Sequence, residues 1–288
     1  ITITITNVND VAPDFTSEAT FSAAENQTAI GTVTATDAED DEVTFTISSD
    51  ELAITAAGVL TFVSAPDYET KSSYTATVTA SDGVNVDTQA ITVSVNNLND
   101  NDPVITSSES FSADENQTAI GTVTATDADG SSISFTISGS ELAITSAGVL
   151  TFTSAPDYET KSSYTATVTA SDGTNNSTQS ITVSINDLND GSPVMAYPPL
   201  NNTINVIEGG KLSIWDIRGQ DQDGDAITIS LSGSDSSQFE IQDGDSYGNT
   251  AYKLLRLKNN SDYESKSQYN LTVNYSDGQN TSSTELVV

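Results

Sequence analysis

The chain reads as an all-β protein made of tandem Greek-key β-sandwiches. Three observations carry this: a landmark recurring every 90 residues, apolar residues alternating with period two, and no apolar stripe of helical period. Asn9-Asp10, Asn99-Asp100 and Asn189-Asp190 set the spacing. Residues 21–100 and 111–190 differ at 17 of 80 positions, the mark of recent duplication. The third unit is diverged but keeps Glu208, Asp221-Gln222-Asp223, Asp262-Tyr263-Glu264 and Asp277-Gly278.

Within a unit the strands follow in order. Val43, Phe45 and Ile47 alternate with Thr; Tyr74, Ala76, Val78 and Ala80 do the same, and then Ile91, Val93 and Val95. These runs are rich in β-branched and aromatic residues, and Ala57-Gly58 and Asp82-Gly83 are the turn signals between them. One face apolar and one face Thr/Ser, repeated over several short strands in about 90 residues, describes a sandwich. Ile1 to Thr6 aligns with Ile91 to Asn96, and Leu286-Val287-Val288 with Ile91-Thr92-Val93. The expected organisation is therefore a last strand and linker over 1–10, whole repeats over 11–101 and 102–191, and a diverged repeat over 192–288 whose last strand is cut short. The chain opens on Ile1 and reads as a piece of something longer.

Composition narrows the function. Eight Lys and Arg stand against 41 Asp and Glu, a formal charge of -33, which excludes binding nucleic acid through its phosphates. Disorder is the usual reading of so acidic a chain, but regular apolar alternation argues against it. With no Cys there are neither disulfides nor thiolate metal sites, and with no His the commonest general base is missing. No apolar run approaches the length of a transmembrane helix, so any membrane attachment belongs to distant parts of a parent protein.

The acids fall at repeated places: Glu25, Asp37 with Glu39, Asp67 with Glu69, Asp82 and Asp100 in the first whole unit. Any one of them read alone is a solvated loop acid. Duplication accounts for identity between the first two units, but not for the diverged third unit keeping the same acids. A hard divalent cation, which takes six to eight oxygens, suits such mixtures of carboxylate, amide and carbonyl.

These motifs, in this order, resemble the cadherin repeat, and the resemblance covers essentially the whole chain. Asn97-Leu98-Asn99-Asp100-Asn101-Asp102-Pro103 fits the family's interdomain connector D-x-N-D-N-x-P with its first Asp replaced by Asn. Asp187-Leu188-Asn189-Asp190-Gly191-Ser192-Pro193 keeps that Asp and carries Gly191 at the position where the family uses a backbone carbonyl. The resemblance implies seven-stranded cadherin/Ig-like sandwiches with about three Ca²⁺ at each complete junction. The first junction would draw on Glu25, Asp67, Glu69, Asn97, Asn99, Asp100, Asn101, Asp127, Asp129 and Asp172. The second would draw on Glu115, Asp157, Glu159, Asp187, Asn189, Asp190, Gly191, Asp221, Asp223 and Asp277. Seven acids thus face the first junction and eight the second, against a charge of about +6 from the ions. Half-sites remain at each end: Asn7, Asn9, Asp10, Asp37, Glu39 and Asp82 at one, Glu208, Asp262 and Glu264 at the other. Affinity is expected in the weak extracellular range, on the order of 10⁻⁴ to 10⁻³ M per site.

Competing signals fall away. Asp221-Gln222-Asp223-Gly224-Asp225 suggests an EF-hand loop, but Ala226 and Ser232 stand where Gly and Glu are required. Asp67/Glu69 and Asp157/Glu159 are carboxylate pairs, but a glycosidase needs two carboxyls in distinct environments, so no enzyme is expected. Trp215, the only Trp, aligns with Gly31 and Gly121; packing on the strand edge is the default and stacking on a sugar the alternative. Tyr197, Tyr247 and Tyr252 are further novelties of the third unit. The function expected is an extracellular, calcium-stiffened adhesion or spacer module of a bacterial surface protein, its partners the adjoining repeats. The alternatives are repeats that bind polysaccharide or another copy, or a spacer within a secreted polysaccharide-degrading enzyme.

Overall fold

The computed structural model describes residues 3, 8–209, 215–244 and 250–288. Apart from Ile3, the expected opening strand over 1–6 lies outside the described residues, as do Asn7, Ile214 and Tyr247.

The first repeat contains β1 (Asp14–Phe15), β2 (Thr20–Ala24), β3 (Ala29–Thr32), β4 (Ala35–Thr36), β5 (Thr44–Ile47), β6 (Leu52–Ile54), β7 (Val59–Phe62), β8 (Ser73–Ser81) and β9 (Val86–Asn96). β1 and β2 are two pieces of one broken strand and β3 and β4 of the next, which leaves seven strands. One sheet runs β2-β9-β8-β5 and the other β3-β7-β6, with β1 paired to β4. β2 joins β9 in parallel while every other pair is antiparallel, so the chain crosses between the sheets in Greek-key fashion. The alternation read from sequence sets the register: Phe45 pairs with Ala80, and Tyr74 with Val93.

The second repeat repeats this plan from β10 (Val104–Ile105) to β18 (Asn176–Asn186). Each sandwich buries one stripe from each sheet. Val33, Val78 and Val93 are fully buried in the first core, and Leu150, Val168 and Val183 in the second. An edge-to-face pair caps each, Phe62 on Tyr74 and Phe152 on Tyr164, with ring centroids 5.1 Å apart in both. Gly58 (φ +84°) lies so close to the facing strand that a Cβ would sit 2.1 Å from the Val33 carbonyl oxygen.

The third repeat keeps the plan with different packing. Its strands are β19 (Val194–Met195), β20 (Trp215–Gln220), β21 (Thr228–Ser232), β22 (Phe239–Asp243), β23 (Thr250–Leu257), β24 (Asn270–Ser276) and β25 (Thr281–Val287). The sheets are β19-β20-β23-β22 and β21-β24-β25. Tyr275, fully buried, replaces Ala80 and Ala170, and Gly219 replaces Ala35 and Ala125; a Cβ on Gly219 would approach the Tyr275 ring to 3.1 Å. Volume gained on one sheet is thus given up on the other. The only helical turns among the described residues are short 3₁₀ segments, Leu200–Asn202 and Ser236–Gln238. No helix of the described residues is long and apolar enough to cross a membrane.

Candidate metal centres at the repeat junctions

Glu25 follows β2 and is 2% exposed. Its Oε2 accepts from the backbone N–H of Tyr68 at 2.7 Å and its Oε1 from that of Leu98, also at 2.7 Å. One buried carboxylate therefore ties the Asp67-Tyr68-Glu69 loop to the connector. Glu115 does the same at the second junction, accepting from Tyr158 and Leu188 at 2.8 Å each. Asp67 and Asp157 are turned into their own loops, each accepting from the Thr three residues on through both backbone and hydroxyl. Those bonds, the side-chain one foremost, hold both carboxyls below the usual range.

The next repeat closes on the connector from above. Asp129 Oδ2 accepts from the backbone N–H groups of Asp100 at 3.0 Å and Asn101 at 2.9 Å. Asp223 accepts from Gly191 N–H at 2.7 Å in the same role. In the first repeat Glu39 takes this place, accepting from Asp10 and Val11 at 2.9 and 3.1 Å. Glu39 stands at the position of Asp129 and Asp223 and reaches the same backbone with a longer side chain. The Asn101 amide lies among Glu69, Asp100 and Asp129, donating to each. Asn97 donates across the junction to the Asp129 carbonyl at 3.0 Å.

The residues present fit a cation. Of the buried side-chain polar atoms without a partner among the described residues, six are carboxylate oxygens: one each on Asp37, Asp127, Glu159, Asp221, Asp223 and Asp277. All six belong to the acids singled out from sequence. A buried carboxylate oxygen without a donor is costly, and protein donors are short here. Glu25, Glu69 and Asp100 bring one oxygen each within 4.8 Å of one another, as do Glu115, Asp157 and Glu159, and Glu159, Asp190 and Asp223. The Asn99 amide, turned to satisfy both its ends, donates to Asp172 Oδ2 at 2.9 Å and to Asp129 Oδ2 at 3.2 Å, tying the connector to the following repeat. At the ends of the chain, Asp37, Glu39 and Asp41 converge, as do Glu208, Asp262 and Glu264.

The electrostatics of the two junctions differ. Burial raises Glu69 and Glu159, but Glu159 much further, to about 7. Asp187, which occupies the position of Asn97, adds its charge to those of Glu115 and Asp223 around Glu159. Asp187 is itself raised, by burial foremost. Asp129 is held low: burial opposes its charge, but the donations from Asn101 outweigh it.

Two sets of residues escaped the sequence reading. Asn26 and Asn116 adopt φ +60° and +62°, and their amides donate to Asp100 and Asp190. Gly209 holds the same position and backbone region in the third repeat, φ +75°. Asn175 donates to the carbonyls of Asn99 at 3.2 Å and Asn101 at 3.3 Å, bracing the connector. Asn85 and Asn280 brace the equivalent strands through Asn9 and Asn189, at 2.8 and 2.7 Å. The signal was there: Asp-Gly-x-Asn recurs as Asp82–Asn85, Asp172–Asn175 and Asp277–Asn280.

Fold and acid-lined junctions together define a tandem array of Greek-key β-sandwich repeats. Residues 109–186 match the family model described as Cadherin domain. The chain is 28% identical over 308 residues to the Drosophila melanogaster protocadherin-like wing polarity protein stan, covering 94% of this chain and 8% of that protein. It is 32% identical over 194 residues to mouse protocadherin Fat 4, covering 58% of this chain and 4% of that one. Among solved structures it is similar to mouse cadherin-23 EC22-24, with TM-score 0.73 and 23% identity over 97% of this chain and 98% of that one. It is also similar to protocadherin gamma B2 extracellular cadherin domains 1-5, with TM-score 0.74 and 24% identity over 99% of this chain and 60% of that one. The solved structures share the fold with this chain, which spans less than a tenth of the length of the two curated relatives named.

Proposed function

We infer that the chain is a segment of an extracellular adhesion protein in which calcium at the repeat junctions stiffens the array into a rod. The observation that carries this is the set of buried, unpartnered carboxylate oxygens at the predicted positions. On this reading the first site is held by Glu25, Asp67, Glu69, Asn97, Asn99, Asp100, Asn101, Asp127, Asp129 and Asp172. Glu115, Asp157, Glu159, Asp187, Asn189, Asp190, Gly191, Asp221, Asp223 and Asp277 hold the second. Bound calcium supplies the positive charge that lets seven or eight acids share one joint. The chain's own part is orientation: Glu25 and Glu115 lock loop to connector, Asn175 and Asn280 brace the connector, and Asp129 and Asp223 grip it from the following repeat. The hinge between units then bends only by breaking this network.

The repeats fall at 11–101, 102–191 and 192–288 on the same reading, and the protein has no catalytic role. A cysteine-free chain with near-identical neighbours suits a long bacterial surface array, in which copy number sets reach; the curated relatives named above are animal proteins. Small-angle X-ray scattering in millimolar Ca²⁺ and in excess chelator, with a thermal melt of each sample, tests the proposal. A longer, stiffer particle with a higher melting temperature in Ca²⁺ is expected. Indifference of both shape and stability to Ca²⁺ would overturn it.

A further inference from the structure

Six of the eight Lys and Arg residues lie in residues 192–288, so the third repeat carries a surface unlike the others. The difference is sharpest on the outer face of the β19-β20-β23-β22 sheet. Backbone bonds fix the equivalences: Thr16 to Thr34, Thr106 to Thr124 and Ala196 to Arg218 are the same N–H to carbonyl pair in successive repeats. Arg218 therefore stands where the others have Thr34 and Thr124, Tyr197 where they have Ser17 and Ser107, and Trp215 where they have Gly31 and Gly121. In the first two repeats this spot is closed by a Thr–Thr hydroxyl pair, 2.8 and 3.0 Å apart. In the third it opens into a depression of about 580 Å³ lined by Tyr197, Trp215, Asp216 and Arg218.

The side chains around this depression hold one another in place. The Arg218 guanidinium lies 5.4 Å from the Tyr197 ring centroid and 5.1 Å from that of Tyr252, stacked between them. Tyr252 is anchored by donating to Asp216 Oδ1 at 2.7 Å. The hydrogen bond from Arg218 to Asp216 Oδ2 is long, 3.5 Å, which leaves the edge of the guanidinium with donors to spare. Stacking fixes its plane and spares the entropy of ordering it on binding. Tyr197 is 66% exposed and offers a free aromatic face, while Trp215 packs partly on the third core. A flat aromatic surface beside an edge-on Arg fits a pyranose ring that carries a carboxylate: the ring stacks and the carboxylate takes two N–H donors. An open, shallow form suits a chain running across it, in contrast to the enclosed site of a small apolar ligand.

We propose that the third repeat binds a uronic-acid polysaccharide on this face, with Arg218 on the sugar carboxylate and Tyr197 against the ring. None of the junction acids lines this depression. Trp215 is the only Trp in the chain, so its fluorescence reports directly on the site. The probe is trigalacturonate, too short to gel, titrated into the whole chain at fixed millimolar Ca²⁺; its methyl ester is the neutral comparison. A saturable fluorescence change is expected, with affinity at least about tenfold weaker for the ester and for Arg218→Gln. Arg218→Gln should keep a single cooperative melt, lowered by about 5 °C or less for the lost tyrosine contacts, and Tyr197→Ala, at an exposed position, gives a second variant that should also weaken binding. No fluorescence change and no calorimetric heat with trigalacturonate would overturn the proposal, as would equal binding of acid and ester or by Arg218→Gln. Self-association that Tyr197→Ala abolishes would equally overturn it, assigning the face to a second copy of the chain.

Discussion

The second junction should bind calcium in exchange for a proton. Glu159 sits at about 7 in the metal-free protein, against an ordinary 4.5, because burial and the charges of Glu115, Asp223 and Asp187 disfavour its ionisation. In the absence of metal the proton it gains on folding contributes stability that is fully present below about pH 4.5 and is lost as pH rises through about 7. A cation reverses the preference by pulling the carboxyl into its ionised form. At pH 8 about nine-tenths of Glu159 is already ionised and at pH 6 about one-tenth, so affinity at this junction should fall about tenfold between them, or ~1.4 kcal/mol. At pH 7 close to half a proton should leave per junction filled. Calorimetric titration of Ca²⁺ at pH 7 in buffers of contrasting ionisation enthalpy measures that release. Asp187→Asn provides the internal control: it makes the junction resemble the first, removes one of the three charges acting on Glu159, and should reduce the release while leaving the other ligands in place. Heats independent of buffer, or a release unchanged by Asp187→Asn, would refute this account of Glu159.

Glu115→Ala should destabilise the second repeat by about 1–3 kcal/mol in chelator, since it takes the acceptor from two part-buried backbone donors; urea denaturation with and without Ca²⁺ measures it. Gly148→Ala should destabilise by about 2 kcal/mol or more, because the new Cβ meets the Val123 carbonyl oxygen at 2.2 Å and φ is +87°; thermal melts of the variant check it. Asn175→Ala should leave metal-free stability within about 1 kcal/mol but loosen the first connector, weakening Ca²⁺ there several-fold in a titration; an unaltered affinity would mean that the brace is ornamental.

Much was legible in the residues because β-structure writes its burial locally. A period of two assigns Val78, Val93 and Val95 to the core whatever the partner strand is, and Gly58 and Gly83 mark turns by their need for positive φ. The acids were legible because they recur at fixed offsets in a unit that otherwise drifted, and the fold gathers several of them from three separate loops to within a few ångströms. What the chain alone left open depends on which distant residues share a space. Tyr275 alternates inward with Leu271 and Val273, but space for a ring where the other repeats have Ala80 and Ala170 is seen only once Gly219, 56 positions earlier, is found facing it. Asn175 looks like a turn residue until its amide is found on connector carbonyls 74 and 76 residues away. Asp187 in place of Asn97 reads as one added charge from the chain alone, but only the folded junction shows that this charge acts on Glu159. Sequence therefore determined the repeat, its alternating strands and the identity of its acids, all of which follow from local chemistry. Tertiary structure decided which oxygens lack donors, how far a carboxyl is raised and where an arginine lies between two tyrosines, since those are sums over neighbours that only folding brings together.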